Sequence, residues 1–159
     1  MRDKRFIAEH RGGSLTKDNH HKLIRWSRKC SEHVLLLIHE DIDKRLLYAL
    51  HIAEEWESGN VKTGEAMKAS SGAHALARES SNPVSRAVAR SAGHAVATAH
   101  MANHSLGAAL YALKAVKLAG KSINEELQWQ TCELAQLPSD IVELVSATMR
   151  TKGKGLIID

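Results

Sequence analysis

One short stretch limits what this chain can fold into more than any other. Ser71-Gly72-Ala73-His74-Ala75-Leu76-Ala77 returns twenty residues later as Ser91-Ala92-Gly93-His94-Ala95-Val96-Ala97, and more faintly as Ser105-Leu106-Gly107-Ala108-Ala109-Leu110. Alanine, glycine and serine at this density leave a helix surface smooth, so two axes can approach toward the short end of the usual range of roughly 8–10 Å. Small-residue helices also associate in membranes. Arg78, Arg86, Arg90 and the two histidines exclude that reading here. Two readings remain. Either the third to fifth helices form a tightly packed centre, as stacked helix pairs do, or the small residues clear room for a ligand beside the backbone, with the histidines pointing in.

The rest of the chain reads as helix as well. Aromatic residues make up only 4% of it, and alanine takes their place, which favours helix over strand. Between Asp18 and Arg150 there is no hairpin dipeptide and no alternating run. Leu23, Trp26, Cys30, His33, Val34 and Leu37 recur at helical spacing over about 19–38, with Asp18 as cap. A second helix is predicted over about 41–57 and a third over about 62–78. Asn82 as cap and Pro83 at the first helical position open a fourth. Asn103 or Ser105 separates it from a fifth that ends at Gly120, the expected left-handed residue; one helix over 83–119 is the alternative. Ser122-Ile123-Asn124-Glu125 is a capping box for a sixth, with Ile123, Leu127, Gln130, Leu134 and Leu137 inward, and Pro138-Ser139-Asp140 restarts the chain into a seventh. The expected fold is all-α, a compact bundle or stacked helix pairs of about six to seven helices. Residues 1–17 read as a lead-in, 18–150 as a single helical domain and 151–159 as a basic, glycine-containing tail. A chain of 159 residues can bury roughly 68–70% of its unfolded surface, so it needs no staple.

Several function classes recede on composition. A net charge of +4 is a mild excess without a dense basic stripe, which argues against a nucleic-acid partner and against an acidic DNA mimic. Cys30 and Cys132 stand far apart and form no metal-type pair, so inert thiols in a reducing compartment are expected. Met1 to His10 holds no apolar core of a signal peptide, and the longest strongly apolar run, Val34 to Ile38, is too short to span a bilayer. The expected place is the cytoplasm, away from membranes.

Ten histidines invite a metal, so their spacing matters. His100 and His104 are four apart, a common zinc-ligand spacing on one continuous helix, which makes them the weak metal candidates. No glutamate follows His100, and a break near Asn103 would spoil the alignment. His94 lies about 240° around the helix from His100, so one helix cannot aim all three at one ion. No metal and no cofactor are therefore expected. No nucleophile elbow positions a serine, and Gly12-Gly13-Ser14 is too short for a phosphate loop. No catalytic site is expected. The candidate binding residues are His74, His94, His100 and His104 with Arg78 and Arg90, together with Trp129, which lies off the apolar stripe of its helix and would serve as an exposed interface anchor. Arg25, Arg28 and the acidic end of the second helix are further candidates.

The run Ala92-Gly93-His94-Ala95-Val96-Ala97-Thr98-Ala99-His100-Met101-Ala102-Asn103-His104-Ser105-Leu106-Gly107-Ala108-Ala109-Leu110-Tyr111-Ala112 resembles the central segment of the all-helical immunity proteins of bacterial polymorphic toxin systems. Arg11-Gly12-Gly13, the Trp26/Cys30/His33 run, Asp41 with Arg45, Trp56 before Gly59, and Ala73-His74-Ala75 with Ala77-Arg78-Glu79 extend the resemblance over roughly residues 10 to 120. The family's pattern places Asp where this chain has Asn103. The resemblance implies an all-α chain that binds a cognate toxin through a protein–protein interface and blocks it without catalysis. A ligand- or metal-binding helical domain built on the central histidines is the alternative. The smooth alanine faces would also suit a helix-mediated homodimer.

Overall fold

The computed structural model describes residues 3–157 and, among them, seven α-helices: α1 (Lys17–His33), α2 (Lys44–Glu57), α3 (Thr63–Glu79), α4 (Pro83–Ala97), α5 (His104–Leu118), α6 (Ile123–Leu134) and α7 (Ser139–Ile157). Ala66, Ala69, Ala73 and Ala77 recur at spacings of three and four, which a helix turns into one flat stripe, and that stripe is the buried face of α3. It packs on α4, which also contacts α1, α2 and α5 and is the hub of the fold. Ala87, Val88, Ala92, Ala95 and Val96 of α4 and Ala108, Ala112, Ala115 and Val116 of α5 join the same core. A second core gathers Phe6, Leu15, Leu23, Trp26, Cys30, Leu106, Leu134, Ile141, Leu144 and Val145, from the N-terminal segment, α1, α5, α6 and α7. The architecture is all-α, as expected.

Serine hydroxyls show how close the central helices lie. Ser70 of α3 donates to the Gly93 carbonyl of α4 at 2.9 Å, and Ser91 of α4 donates to the Ala108 carbonyl of α5 at 2.7 Å. Such bonds cross only where no large side chain holds the axes apart. The repeat is thus a packing device used twice. Its register differs from the sequence alignment: Ser71 is exposed, and Ser70 takes the inward role. Because the alanine faces of α3, α4 and α5 are spent inside the chain, they are not open for a homodimer.

Local signals account for most helix ends. Asn82 accepts from Val84 and Ser85 with Pro83 behind it, Ser122 accepts from Glu125, and Gly59 and Gly120 adopt the left-handed conformation. Four boundaries differ from expectation. Thr16 caps α1, while Asp18 sits in its first turn and pairs with Lys22. The first helix stops at His33, and Leu35–Leu37 form a separate 3-10 turn. α2 begins at Lys44 because Asp43 turns its carboxylate back onto the Arg45 amide. α7 runs through residue 150 to Ile157, where a tail was expected, because packing on α5, with Gly153 facing Leu110, overrides the low helix propensity of that glycine. Residues 1, 2, 158 and 159, the ends of the expected lead-in and tail, lie outside the described residues.

The lead-in is part of the fold. Ile7 and Leu15 are joined backbone to backbone at 3.0 Å, and Phe6 and Leu15 are buried in the second core. Gly13 permits this turn, since a Cβ there would collide with the Ile7 carbonyl. Both cysteines are free thiols, Cys30 buried and Cys132 exposed. No helix among the described residues is long and apolar enough to cross a membrane.

Candidate functional site

Three neighbouring helices each place ring or cationic side chains at one shared edge. α3 supplies His74 and, one turn on, Arg78; α4 supplies Arg90 and His94; α5 supplies His104, Tyr111 and Lys114. The two repeat histidines are seated alike. The His74 ring lies against Gly93, where a Cβ would come within 2.7 Å of its Nε2, and the His94 ring lies against Gly107, where a Cβ would come within 2.6 Å of its Nδ1. Each imidazole of the repeat therefore rests on a glycine of the next helix, a close approach that only a missing side chain permits.

The rings form a continuous row. The His74 and His94 centroids are 5.1 Å apart edge to face, His94 and His104 are 5.1 Å apart, and His104 and His100 are 5.5 Å apart. Arg90 Nη1 donates to His74 Nδ1 at 2.8 Å, so the neutral His74 ring carries its proton on Nε2. His94 Nδ1 and His104 Nδ1 are 3.0 Å apart, which requires one of them to donate to the other. Tyr111 stacks on His94 at 5.3 Å, and Lys114 Nζ stands 5.8 Å over the tyrosine ring.

Electrostatics keep the two repeat histidines neutral. Burial pushes the His94 pKa down to about 3, with His104, His74 and Arg90 adding to the effect. Burial likewise lowers His74, helped by Arg90 and Arg78. No carboxylate is among the groups acting on either ring. At neutral pH these imidazoles are uncharged donors and acceptors framed by cations, a setting that attracts an acidic or hydrogen-bonding surface.

The structure thus brings His74, His94, His104, His100, Arg78 and Arg90 to one region. His100 lies in the turn between α4 and α5, so it shares no helix with His104. Among the described residues no group of three or more His, Cys, Asp or Glu is placed to hold a metal ion. Asn103 precedes α5 but makes no cap, because its backbone is already helical, and its buried Oδ1 accepts no hydrogen bond.

Trp129 belongs elsewhere and is not the exposed anchor expected of it. It is half-buried, stacked on His33 at 3.6 Å with the rings 3° from parallel, and packed against the second core. His33 Nδ1 in turn meets the buried Glu126 carboxylate at 2.8 Å. Arg25 and Arg28 are likewise engaged. Both approach Glu57 at the acidic end of α2, at 2.6 and 3.7 Å, and so tie α1 to α2.

Tyr111 and Lys114 were missed from sequence. Spacing held the signal: His104, Gly107, Tyr111 and Lys114 fall at i, i+3, i+7 and i+10, one face of α5. The match to known proteins covers this whole region. A family model described as Imm-5 like putative immunity protein matches residues 13–137, which takes in α1 to α6. No curated protein and no solved structure matches the chain.

Proposed function

The chain belongs to the Imm-5 like putative immunity protein family, and on that premise we propose that it neutralises a cognate bacterial toxin by binding it at the α3–α4–α5 edge. The protein works by occupying a surface of the toxin rather than by a reaction. The observation that carries the choice of surface is the ring row with its cationic frame. His74, His94, His104 and Tyr111 are half-buried and held against one another, so little side-chain freedom is lost when a partner covers them. Arginine and tyrosine are among the residues that most often dominate binding energy, and Arg78, Arg90 and Tyr111 border the row. A frame of Arg78, Arg90 and Lys114, none of them in a salt bridge among the described residues, fits an acidic patch on the toxin, such as one that itself binds a basic or metal-assisted substrate.

Co-expression with the product of the adjoining large reading frame tests this, scored by growth and by co-purification. The unaltered chain is expected to restore growth and to form a stable complex. Arg78→Glu combined with Lys114→Glu, two substitutions at the rim, should weaken both by tenfold or more with an unchanged melting temperature. Full rescue and co-purification by that double variant would remove the edge as the contact surface. Failure of the unaltered chain to rescue, with the neighbour shown to be toxic, would end the pairing itself.

A further inference from the structure

α6 and α7 both lie on α5, and between them a groove of about 880 Å³ reaches down to α1. Trp26, Leu110, Leu113, Leu127, Leu134 and Met149 give it apolar walls. Its size falls within the range of small-molecule sites, roughly 300–1,000 Å³, which are mainly apolar with a few placed polar groups. Its floor is buried, with Trp26 3% exposed, Leu110 3%, Leu113 1% and Leu134 4%, while Leu127, at 41%, and the exposed Asn124, Thr131, Arg150 and Thr151 form the rim. A surface that docks a protein presents its apolar residues outward. The apolar floor here lies below a partly polar rim and is reached only past it, which favours a small molecule.

One polar group marks the floor. Gln130 lines the groove and is 1% exposed. Its Nε2 donates to the Ala109 carbonyl at 3.1 Å, which fixes which way the amide faces, and its buried Oε1 accepts no hydrogen bond. The nearby Trp26 Nε1 cannot serve it, because that donor is spent on the Gln130 backbone carbonyl at 3.0 Å. A buried acceptor left without a partner is costly, and a donor arriving through the groove would recover that cost. We propose that the α5–α6–α7 groove binds a small apolar molecule bearing a single N–H or O–H, whose donor meets Gln130 Oε1. This site is separate from the proposed toxin edge and stands or falls without it.

Indole and benzothiophene make the test, since the two rings are near-isosteric and only indole has a donor. The full chain, labelled with ¹⁵N, is titrated with each. Indole should shift the Trp26 Nε1 and Gln130 side-chain amide signals saturably, and benzothiophene should bind about five- to tenfold more weakly, the worth of one hydrogen bond. Leu127→Trp, a substitution at an exposed position, should close the mouth and abolish indole binding with the spectrum otherwise retained. Equal affinity for the two probes would overturn the proposal, as would shifts centred outside the groove or indole binding undiminished by Leu127→Trp. Loss of toxin protection in Leu127→Trp, with no indole binding in the unaltered chain, would assign the groove to a protein partner and also overturn it. The Arg78→Glu/Lys114→Glu variant should bind indole normally, which keeps failure here distinct from failure at the toxin edge.

Discussion

A methyl group added to Gly93 would sit 2.7 Å from His74 Nε2, and one added to Gly107 would sit 2.6 Å from His94 Nδ1. Replacing a mid-helix glycine by alanine ordinarily stabilises by about 1 kcal/mol. Here the ring must leave its seat, and overpacking of this kind costs about 1–3 kcal/mol. Gly93→Ala and Gly107→Ala should each lower the urea-unfolding free energy by up to about 2 kcal/mol, the overpacking cost less the propensity gain. Gly72→Ala, on a helix with nothing within 4 Å of the new Cβ, should raise it by about 0.5–1 kcal/mol. A Gly93→Ala chain more stable than the unaltered one by the full propensity gain would mean that the His74 ring is not fixed there. The same rings set an acid limit. His94 titrates near 3 in the fold against 6.5 for an ordinary histidine, and His74 is lowered in the same direction. Between those values the unfolded chain binds more protons than the folded one, so stability is complete above about pH 6.5 and falls as pH drops toward 3. The slope His94 contributes is at most about 1.4 kcal/mol per pH unit. Urea midpoints at pH 7, 5.5 and 4.5 should descend, and the descent should be shallower in His94→Phe. An equally steep descent in that variant would place the acid sensitivity elsewhere.

At the scale of elements, the short-range marks were legible and the long-range ones were not. Pro83 behind Asn82, Ser122 with Glu125, and Gly120 act within one turn, and each marks the end that the structure has. The break between α4 and α5 was left open in sequence because no proline or glycine falls in residues 98–103; the chain turns there through a string of short backbone bonds, Ala99 to Val96 and His104 to Met101 among them. The end of α7 was misplaced for the opposite reason. Gly153 and Gly155 are poor helix formers, and nothing local reveals that α5 packs against this helix. The histidine repeat was visible as residues, but its use was not: that His74 meets Gly93 and His94 meets Gly107 depends on the offset between helices, which no single-helix pattern carries. Gly153 also yields a prediction. A Cβ there would meet Leu110 Cδ2 at 3.6 Å, an ordinary contact, so Gly153→Ala should gain helix propensity without overpacking. A rise in unfolding free energy of about 0.5–1 kcal/mol is expected, with slower amide exchange in the last turns of α7. A loss of stability would show that α7 needs the missing side chain to lie on α5.

Charge is distributed unevenly over the molecule, and that distribution bears on how a partner is met. Four of the five Lys and Arg side chains of α1 are paired in place: Lys22 with Asp18, Arg25 with Glu57, Arg28 with Glu32 and Lys29 with Glu133. Arg78, Arg90 and Lys114 enter no salt bridge among the described residues. The three therefore give an excess of one sign where α3, α4 and α5 meet at the ring row. Unpaired charge of one sign steers an oppositely charged partner and raises the association rate, an effect that salt removes because screening acts within about 10 Å at 0.1 M. If the edge receives the toxin, the association rate should fall about tenfold between 50 and 300 mM salt while the dissociation rate changes little. Arg78→Glu with Lys114→Glu should lower the rate at low salt and flatten its salt dependence. Lys22→Glu, which alters net charge by the same amount as either single reversal but lies among the paired cations of α1, should leave both nearly unchanged. Stopped-flow association at three salt concentrations separates the cases. Equal losses from Lys22→Glu and from a single reversal at the edge would mean that only overall charge matters, and the α3–α4–α5 surface would lose its claim to the encounter.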